Sequence, residues 1–563
     1  MTRNAVQLQR TAREIFGWPG LRAEQLAAME HVMSGGDVLA VLPTGAGKSA
    51  IYQVPAALRS GVTIVVSPLL ALQRDQIEGL DASGAPRAVA INSSQRVAER
   101  RDAEQALQAG EAKYLFLSPE QLARPDVMAE LCRLDVAFFV VDEAHCVSAW
   151  GHEFRPDYLR LGGVIEQLGH PPVLALTATA APTVRADIAA RLGLRGHREV
   201  LAGFDRPNLH LAVQTSPDDH ERSAAVLGKV SAFAADPAIS CGLVYTSSRR
   251  DAEDYAARLC ATGVRAAAYH AGRRAADRAE VHERFLDDAL DVVVATSAFG
   301  MGIDKPDVRF VLHAAAPDSL DSYYQQIGRA GRDEQPAEIV LYYRPEDLHV
   351  QRFLTASKPP QDTLRAVAQA LARAGKPVKA TQLRRLVDAP PARRTRAVNL
   401  LEQAGAVGTD DGGRLVYLDP AVPAPEAVSA AIEADEAHQR VIRSRIEMMR
   451  GYAETTGCRR MFLLGYFGEE LGAACGRCDN CDAGTAEPVR VGDERYPRNS
   501  TVEHPHWGRG VVMWNESDRL TVLFDDVGYK TLAREAVDEN GLLAPSREVN
   551  AGAARDVGAT IAT

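Results

Sequence analysis

The chain has 563 residues, 46% of them hydrophobic and 25% charged, which gives room for several domains with large cores. No apolar run approaches the ~18 residues of a membrane span and the first thirteen residues hold no apolar leader core, so the reading is cytoplasmic, with no membrane partner. A net charge of −10 argues against a chain coated with nucleic acid along its length, but leaves room for one basic face.

In chain order, the first stretch with chemistry in it is Phe16-Gly17-Trp18-Pro19-Gly20-Leu21-Arg22-Ala23-Glu24-Gln25. Gln25 is expected to bond an adenine edge in two places while Trp18 and Arg22 cover its faces. Taken alone, the stretch also reads as a helix start with a core tryptophan. An apolar run, Val38 to Leu42, then breaks into Pro43-Thr44-Gly45-Ala46-Gly47-Lys48-Ser49 ahead of a helix predicted over 49–58. Backbone N–H groups converging at a helix N-terminus make an anion site. Thr44, Gly45, Gly47, Lys48 and Ser49 form its nucleotide-binding set, with Lys48 at the β and γ phosphates of ATP and Ser49 on the bridging Mg²⁺. Leu42 stands where the general P-loop pattern has its first glycine.

Four more apolar runs end in polar loops: 63–66, 114–117, 136–141 and 173–176. Runs without alternation, separated by helical stretches, predict a parallel sheet covered on both faces, with the loops after its strands lining one crevice. Asp142-Glu143-Ala144-His145 follows the third run, so Asp142 is expected to hold Mg²⁺ through water and Glu143 to orient the attacking water. Next come Trp150, His152, Phe154, Arg155 and Tyr158, interrupted by Gly151 and Pro156. Aromatics and cations in a broken loop suit stacking on the bases of a strand.

These segments, with Thr177-Ala178-Thr179, resemble the RecQ family of superfamily 2 DNA helicases across residues 10–350, where a P-loop lacking its first glycine is usual. The resemblance implies an α/β chain with two RecA-like parallel-sheet lobes, 1–205 binding ATP and 206–355 following. It also implies ATP hydrolysis coupled to 3′ to 5′ translocation on single-stranded and branched DNA, serving recombination, repair or replication-fork restart. Phe204-Asp205-Arg206-Pro207-Asn208 is similar to the family's link between lobes. Short β-rich runs at 242–246, 266–269, 292–296, 310–313 and 339–343 predict the second lobe. Segments 297–304 and Gln325-Gln326-Ile327-Gly328-Arg329-Ala330-Gly331-Arg332 look like its motifs, which makes Arg329 and Arg332 the arginines expected to reach the γ-phosphate when the lobes close.

Beyond the motor, three amphipathic stretches (363–374, 380–387, 392–404) and two short strands flanking Gly412-Gly413 predict a winged helix over 356–425. Residues 361–405 carry nine Lys/Arg against three Asp/Glu, which puts Arg384, Arg385, Arg393, Arg394 and Arg396 on a DNA-facing side or on a solvated helix face. Cys458, Cys475, Cys478 and Cys481 have the spacing of four thiolates on one structural Zn²⁺, and the surrounding helical subdomain, 426–484, again resembles the RecQ zinc segment. Most of the family places its winged helix after that segment, and the wing tip here, Asp410-Asp411-Gly412-Gly413, is acidic without an aromatic wedge.

Strand-like runs at 510–514 and 520–524 predict a small SH3/Tudor-like β-barrel over 490–545, similar to the terminal module of UvrD-type helicases, followed by a disordered tail, 546–563. Trp507, Trp514, Phe524 and Tyr529 are expected to be shared between its small core and one exposed patch. Residues 482–563 hold nine basic against fourteen acidic side chains, so the module is expected to take a protein partner rather than DNA. The whole reads as a monomer, nucleoid-associated if bacterial. An RNA helicase and a translocase that does not unwind remain open, whereas intact Lys48, Asp142, Glu143, Arg329 and Arg332 speak against a scaffold with a dead ATP site.

Overall fold

The structure, a computed structural model, describes residues 2–545 apart from 93–94, 149–154, 237–238, 240, 298, 300–304, 349–358, 411–413, 487–494, 498–499, 516–518 and 525–526. The first lobe is a seven-stranded sheet of β1 (Val38–Val41), β2 (Val62–Val66), β3 (Arg87–Ile91), β4 (Ala112–Leu117), β5 (Val136–Val141), β6 (Val173–Thr177) and β7 (Arg198–Leu201). Their order is β3-β4-β2-β5-β6-β1-β7, and every pairing is parallel. The unbroken apolar run of β1 has a simple cause. Leu39 and Val41 enter the core on one face while Val38 and Ala40 enter the core on the other, so no position of the strand meets water.

The second lobe is a six-stranded parallel sheet of β8 (Leu209–Thr215), β9 (Gly242–Tyr245), β10 (Ala266–Tyr269), β11 (Val292–Ala295), β12 (Phe310–His313) and β13 (Ala337–Tyr343), ordered β10-β11-β9-β12-β13-β8. Helices Gln361–Ala374, Ala380–Leu386 and Pro391–Gln403 follow. An antiparallel ribbon, β14 (Val407–Thr409) with β15 (Leu415–Tyr417), is extended by a bridge from Val378 to Leu415.

A 31-residue helix, Ala424–Glu454, then serves two units. Ala427, Val428 and Ala431 at its start complete the core of the three-helix unit, while Met448, Met449 and Tyr452 near its end join the core shared by the lobes and the cysteine-rich segment. The boundary expected at 425/426 therefore falls at the start of a continuous helix instead of in a linker.

The C-terminal sheet is antiparallel: β16 (Thr501–His504), β17 (Gly508–Asn515), β18 (Arg519–Phe524), β19 (Gly528–Ala533) and β20 (Ala544–Pro545), in the order β19-β18-β17-β16-β20. One face makes its own core with Tyr496, Val512, Val522, Phe524 and Val537. The register shift between Val512 and Trp514 marks an irregularity in β17, and both Met513 and Trp514 are buried in the main core. There Trp514 lies 5.4 Å from Phe462 and Tyr529 lies 5.6 Å from Tyr466, ring centre to ring centre. The exposed aromatic patch expected of this module is thus corrected: Trp514 and Tyr529 are covered by the Ala424–Glu454 and Arg459–Tyr466 helices, because the sheet is docked on them.

Candidate nucleotide cleft and zinc centre

β1 delivers the chain into a loop whose glycines are demanded by geometry. Gly45 and Gly47 have φ of 82° and 73°, and a Cβ on Gly47 would stand 2.7 Å from Gln25 Nε2. Gln25 donates that amide to Ala46 O (3.0 Å) and Gly47 O (2.9 Å) and accepts from Arg22 N (2.8 Å). Both ends of the side chain expected at an adenine edge are therefore engaged with the phosphate loop in this structure. Trp18 stacks on Phe16, with ring centres 4.7 Å apart.

Lys48 Nζ donates to Leu42 O at 3.4 Å. Burial holds its ammonium below the usual range, against the pull of Glu143 and Asp142. Burial and then the Glu143 charge push the Asp142 carboxyl up to about 7, with Lys48 pulling it back. One cation facing two carboxylates in a dry pocket is a donor set that a divalent cation relieves, so the residues present fit Mg²⁺ beside Ser49 and Asp142. Ser49 Oγ accepts from Gln76 Nε2 at 3.0 Å, a partner with no motif to announce it. Glu143 sits in the left-handed region at φ 49°, a strained position for a residue with a Cβ, and its carboxylate lies 3.3 Å from His145 Nδ1.

The second lobe closes this site. A Cβ on Gly45 would stand 3.3 Å from Arg332 Cδ, and Arg329 is buried, its Nε without a hydrogen-bond partner among the described residues. Between the lobes lies a cavity of about 620 Å³ whose walls include Arg22, Thr44, Gly45 and Arg332.

Trp150, His152 and Phe154 of the expected strand-binding loop lie outside the described residues. Arg155 donates to Pro68 O at 3.1 Å. Tyr158 needs correction: it is fully buried and its hydroxyl donates to Asp142 O at 3.2 Å, so it supports the carboxylate loop from behind and offers no face to a base. On the helix Pro391–Gln403, Arg393 is exposed, Arg394 donates to Ala389 O and Arg396 lies 3.4 Å from Asp435 of the long helix. Arg396 is therefore half-buried and paired with a buried carboxylate. Arg384 and Arg385 are exposed on Ala380–Leu386.

The ligand sulfurs of Cys458, Cys475, Cys478 and Cys481 all lie within 4.8 Å of one another, and those of Cys475 and Cys481 are 3.9 Å apart. A tetrahedral Zn²⁺ with bonds of about 2.3 Å needs neighbouring sulfurs at roughly 3.8 Å. Backbone N–H groups of Cys475 and Arg477 approach the sulfurs of Cys458 (3.4 Å) and Cys475 (3.3 Å), as negative thiolates require. The four residues fit a closed structural zinc site.

Three family descriptions match in succession: DEAD/DEAH box helicase over residues 22–187, Helicase conserved C-terminal domain over 236–334, and RecQ zinc-binding over 425–482. The chain is 40% identical over 346 residues to the probable ATP-dependent DNA helicase RecS of Bacillus subtilis, covering 61% of this chain and 68% of that protein. It is 38% identical over 470 residues to the ATP-dependent DNA helicase RecQ of Haemophilus influenzae, covering 83% of this chain, and spans 62% of that relative. In fold it is similar to the DNA-bound DUF1998 helicase MrfA, at 19% identity and a TM-score of 0.53 over 76% of this chain and 60% of that one. With two parallel-sheet lobes meeting at a phosphate loop, a four-thiolate centre under the matching zinc-binding segment, and relatives at this level of identity, the chain belongs to the RecQ family of ATP-dependent DNA helicases.

Proposed function

We propose that this chain is an ATP-dependent DNA helicase that moves 3′ to 5′ along single-stranded DNA and unwinds duplexes and branched structures in recombination, repair or fork restart. The observation that supports the proposal is the approach of Arg332 to the phosphate loop, its Cδ 3.3 Å from where a Cβ on Gly45 would stand. In this reading Lys48 meets the β and γ phosphates, and Ser49 and Asp142 hold Mg²⁺, which when bound neutralises phosphate charge. Glu143 orients the attacking water, and Arg329 and Arg332 offset charge developing on the γ-phosphate, a contribution typically worth ~10³ to 10⁵ in rate. Hydrolysis that depends on lobe closure becomes a step along a strand. The acidic excess over residues 482–563 supports a protein partner, and not DNA, at the C-terminal module.

The test is ATP turnover by wild type and Lys48→Ala with single-stranded DNA, RNA or neither, followed by unwinding of forks and of duplexes with 3′ or 5′ tails. DNA-stimulated turnover lost in Lys48→Ala, with unwinding only from 3′ tails, is expected. Turnover retained by the variant removes the motor reading, and stimulation by RNA alone replaces the substrate.

A further inference from the structure

The turn that carries Arg329 and Arg332 has no helix or strand of its own to fix it: it runs from the end of helix Leu320–Ile327 to the start of β13. Its carbonyls are gripped instead by the segment that links the lobes. Arg206 Nη2 donates to Ala330 O and Gly331 O, each at 2.8 Å, and Nη1 lies 3.5 Å from Gly328 O. Asn208 Nδ2 donates to Gly331 O at 2.8 Å and Gln335 O at 2.9 Å. Gly331 has φ 56°, and a Cβ there would stand 2.4 Å from Asn208 Nδ2, so the turn is built to let the amide in.

The linking segment is in turn immobilised. Tyr324 donates its hydroxyl to Phe204 O at 2.8 Å, and Phe467 stacks on Phe204 with ring centres 4.6 Å apart. From the zinc turn, Arg477 donates to Pro207 O at 3.1 Å.

Resting on the reading of Arg329 and Arg332 as acting at the phosphate loop, we propose that Arg206 and Asn208 are positioning residues, which hold the arginine-bearing turn in register with the phosphates across the lobe boundary. A planar guanidinium can serve two adjacent carbonyls at once, which a lysine ammonium on a flexible stem does far less well. Misplacing a charge-stabilising group by about 1 Å can cost on the order of 100-fold in rate. The effect falls on turnover more than on nucleotide affinity: Arg206 and Asn208 line the cavity beside the phosphate loop, but their donors are engaged by carbonyls of the turn.

Steady-state ATPase on the full-length chain with saturating single-stranded DNA tests this for Arg206→Gln, Arg206→Lys and Asn208→Ala. Expected are falls of about 10- to 100-fold in kcat for Arg206→Gln, with KM for ATP and the affinity for DNA within about threefold of wild type. Arg206→Lys is expected to recover part of the loss, and Asn208→Ala to lose less than Arg206→Gln. In an Arg329→Ala/Arg332→Ala background, adding Arg206→Gln is expected to cost nothing further, since its effect passes through those arginines. Wild-type kcat in Arg206→Gln overturns the inference, as does an undiminished extra loss in the double-variant background. If Lys48→Ala or Arg329→Ala/Arg332→Ala itself keeps full turnover, it is the motor reading that has failed.

Discussion

His145 Nδ1 stands 2.9 Å from Thr177 Oγ1, which ties the loop after β5 to the last residue of β6. Both residues are buried; His145 also lies 3.3 Å from Glu143, and Thr177 Oγ1 donates to Thr179 O at 3.0 Å. His145 Nδ1 thus touches both Thr177 and Glu143, the carboxylate expected to orient water, and Trp150, the first of the aromatics expected to stack on bases, follows His145 by five residues in the sequence. Thr177→Val, which keeps the shape and removes the hydroxyl, should leave DNA-independent ATP turnover within about threefold while cutting stimulation by single-stranded DNA roughly tenfold. Thr177→Ser should restore it. Equal loss of both rates would make the contact structural only.

A pH dependence follows from His313, which is fully buried in β12 with Nε2 2.8 Å from Gln326 Oε1. Burial pushes the ring down to about 4, the Gln326 contact opposing. Because the folded value lies below the unfolded one of roughly 6.5, its stabilising contribution is complete above that pH. As pH falls from there toward 4, the unfolded chain takes up a proton that the folded chain refuses, at a cost of about 1.4 kcal/mol per pH unit. His438, also held down to about 4 by burial and by the Arg445 charge, acts in the same direction. Urea midpoints between pH 7.5 and 5 should fall in wild type and fall less steeply in His313→Asn.

One zinc per chain is expected by elemental analysis, and Cys475→Ser should lose it together with several kcal/mol of stability, since an all-thiolate site contributes folding free energy outright. The loss should reach beyond the site. Arg459 bonds Asp479 at 2.6 Å, the Asp479 carboxylate accepts from Val213 N at 2.8 Å, and Glu469 accepts from Phe204 N. Thermal unfolding should therefore show the second lobe melting earlier in the variant.

The C-terminal sheet should be removable at a cost in stability and not in DNA grip. Gly528 has φ 75°, and a Cβ there would meet Ser444 Oγ at 2.4 Å, so Gly528→Val should destabilise the chain by about 1–3 kcal/mol in thermal unfolding. A chain ending at Gly484 should lower Tm by uncovering Phe462 and Tyr466, yet leave the salt slope of DNA binding unchanged. A slope flatter by about 0.9 per lost phosphate contact on duplex DNA would show instead that the module grips DNA.

What could be read from the residues was whatever has a local signature. The two-sided burial of β1 leaves an unbroken apolar run, and the four-cysteine spacing names its own geometry. β3, β7 and β8 lie at sheet edges with weaker signatures: the first and last residues of β7, Arg198 and Leu201, are exposed, and β8 mixes His210 and Gln214 with its apolar positions. Nothing local in the residues of helix Ala424–Glu454 says that its two ends belong to different cores. Gln25 illustrates the same limit at the site. Its amide is engaged by carbonyls 21 and 22 positions away, a pairing set by folding and carried by no pattern around it.

That long helix also turns the molecule into a lever. Its 31 residues make a rod of about 46 Å, with the zinc-bearing hub and its docked sheet at one end and the arginine-rich three-helix unit packed on the other. A pivot of about 10° at the hub sweeps the far end through roughly 8 Å, more than two base-pair rises of ~3.4 Å. A pivot of that size would have to release the contact of Arg160 in the first lobe with Glu402 in the three-helix unit, 3.1 Å apart, so that one ion pair latches the far end of the rod.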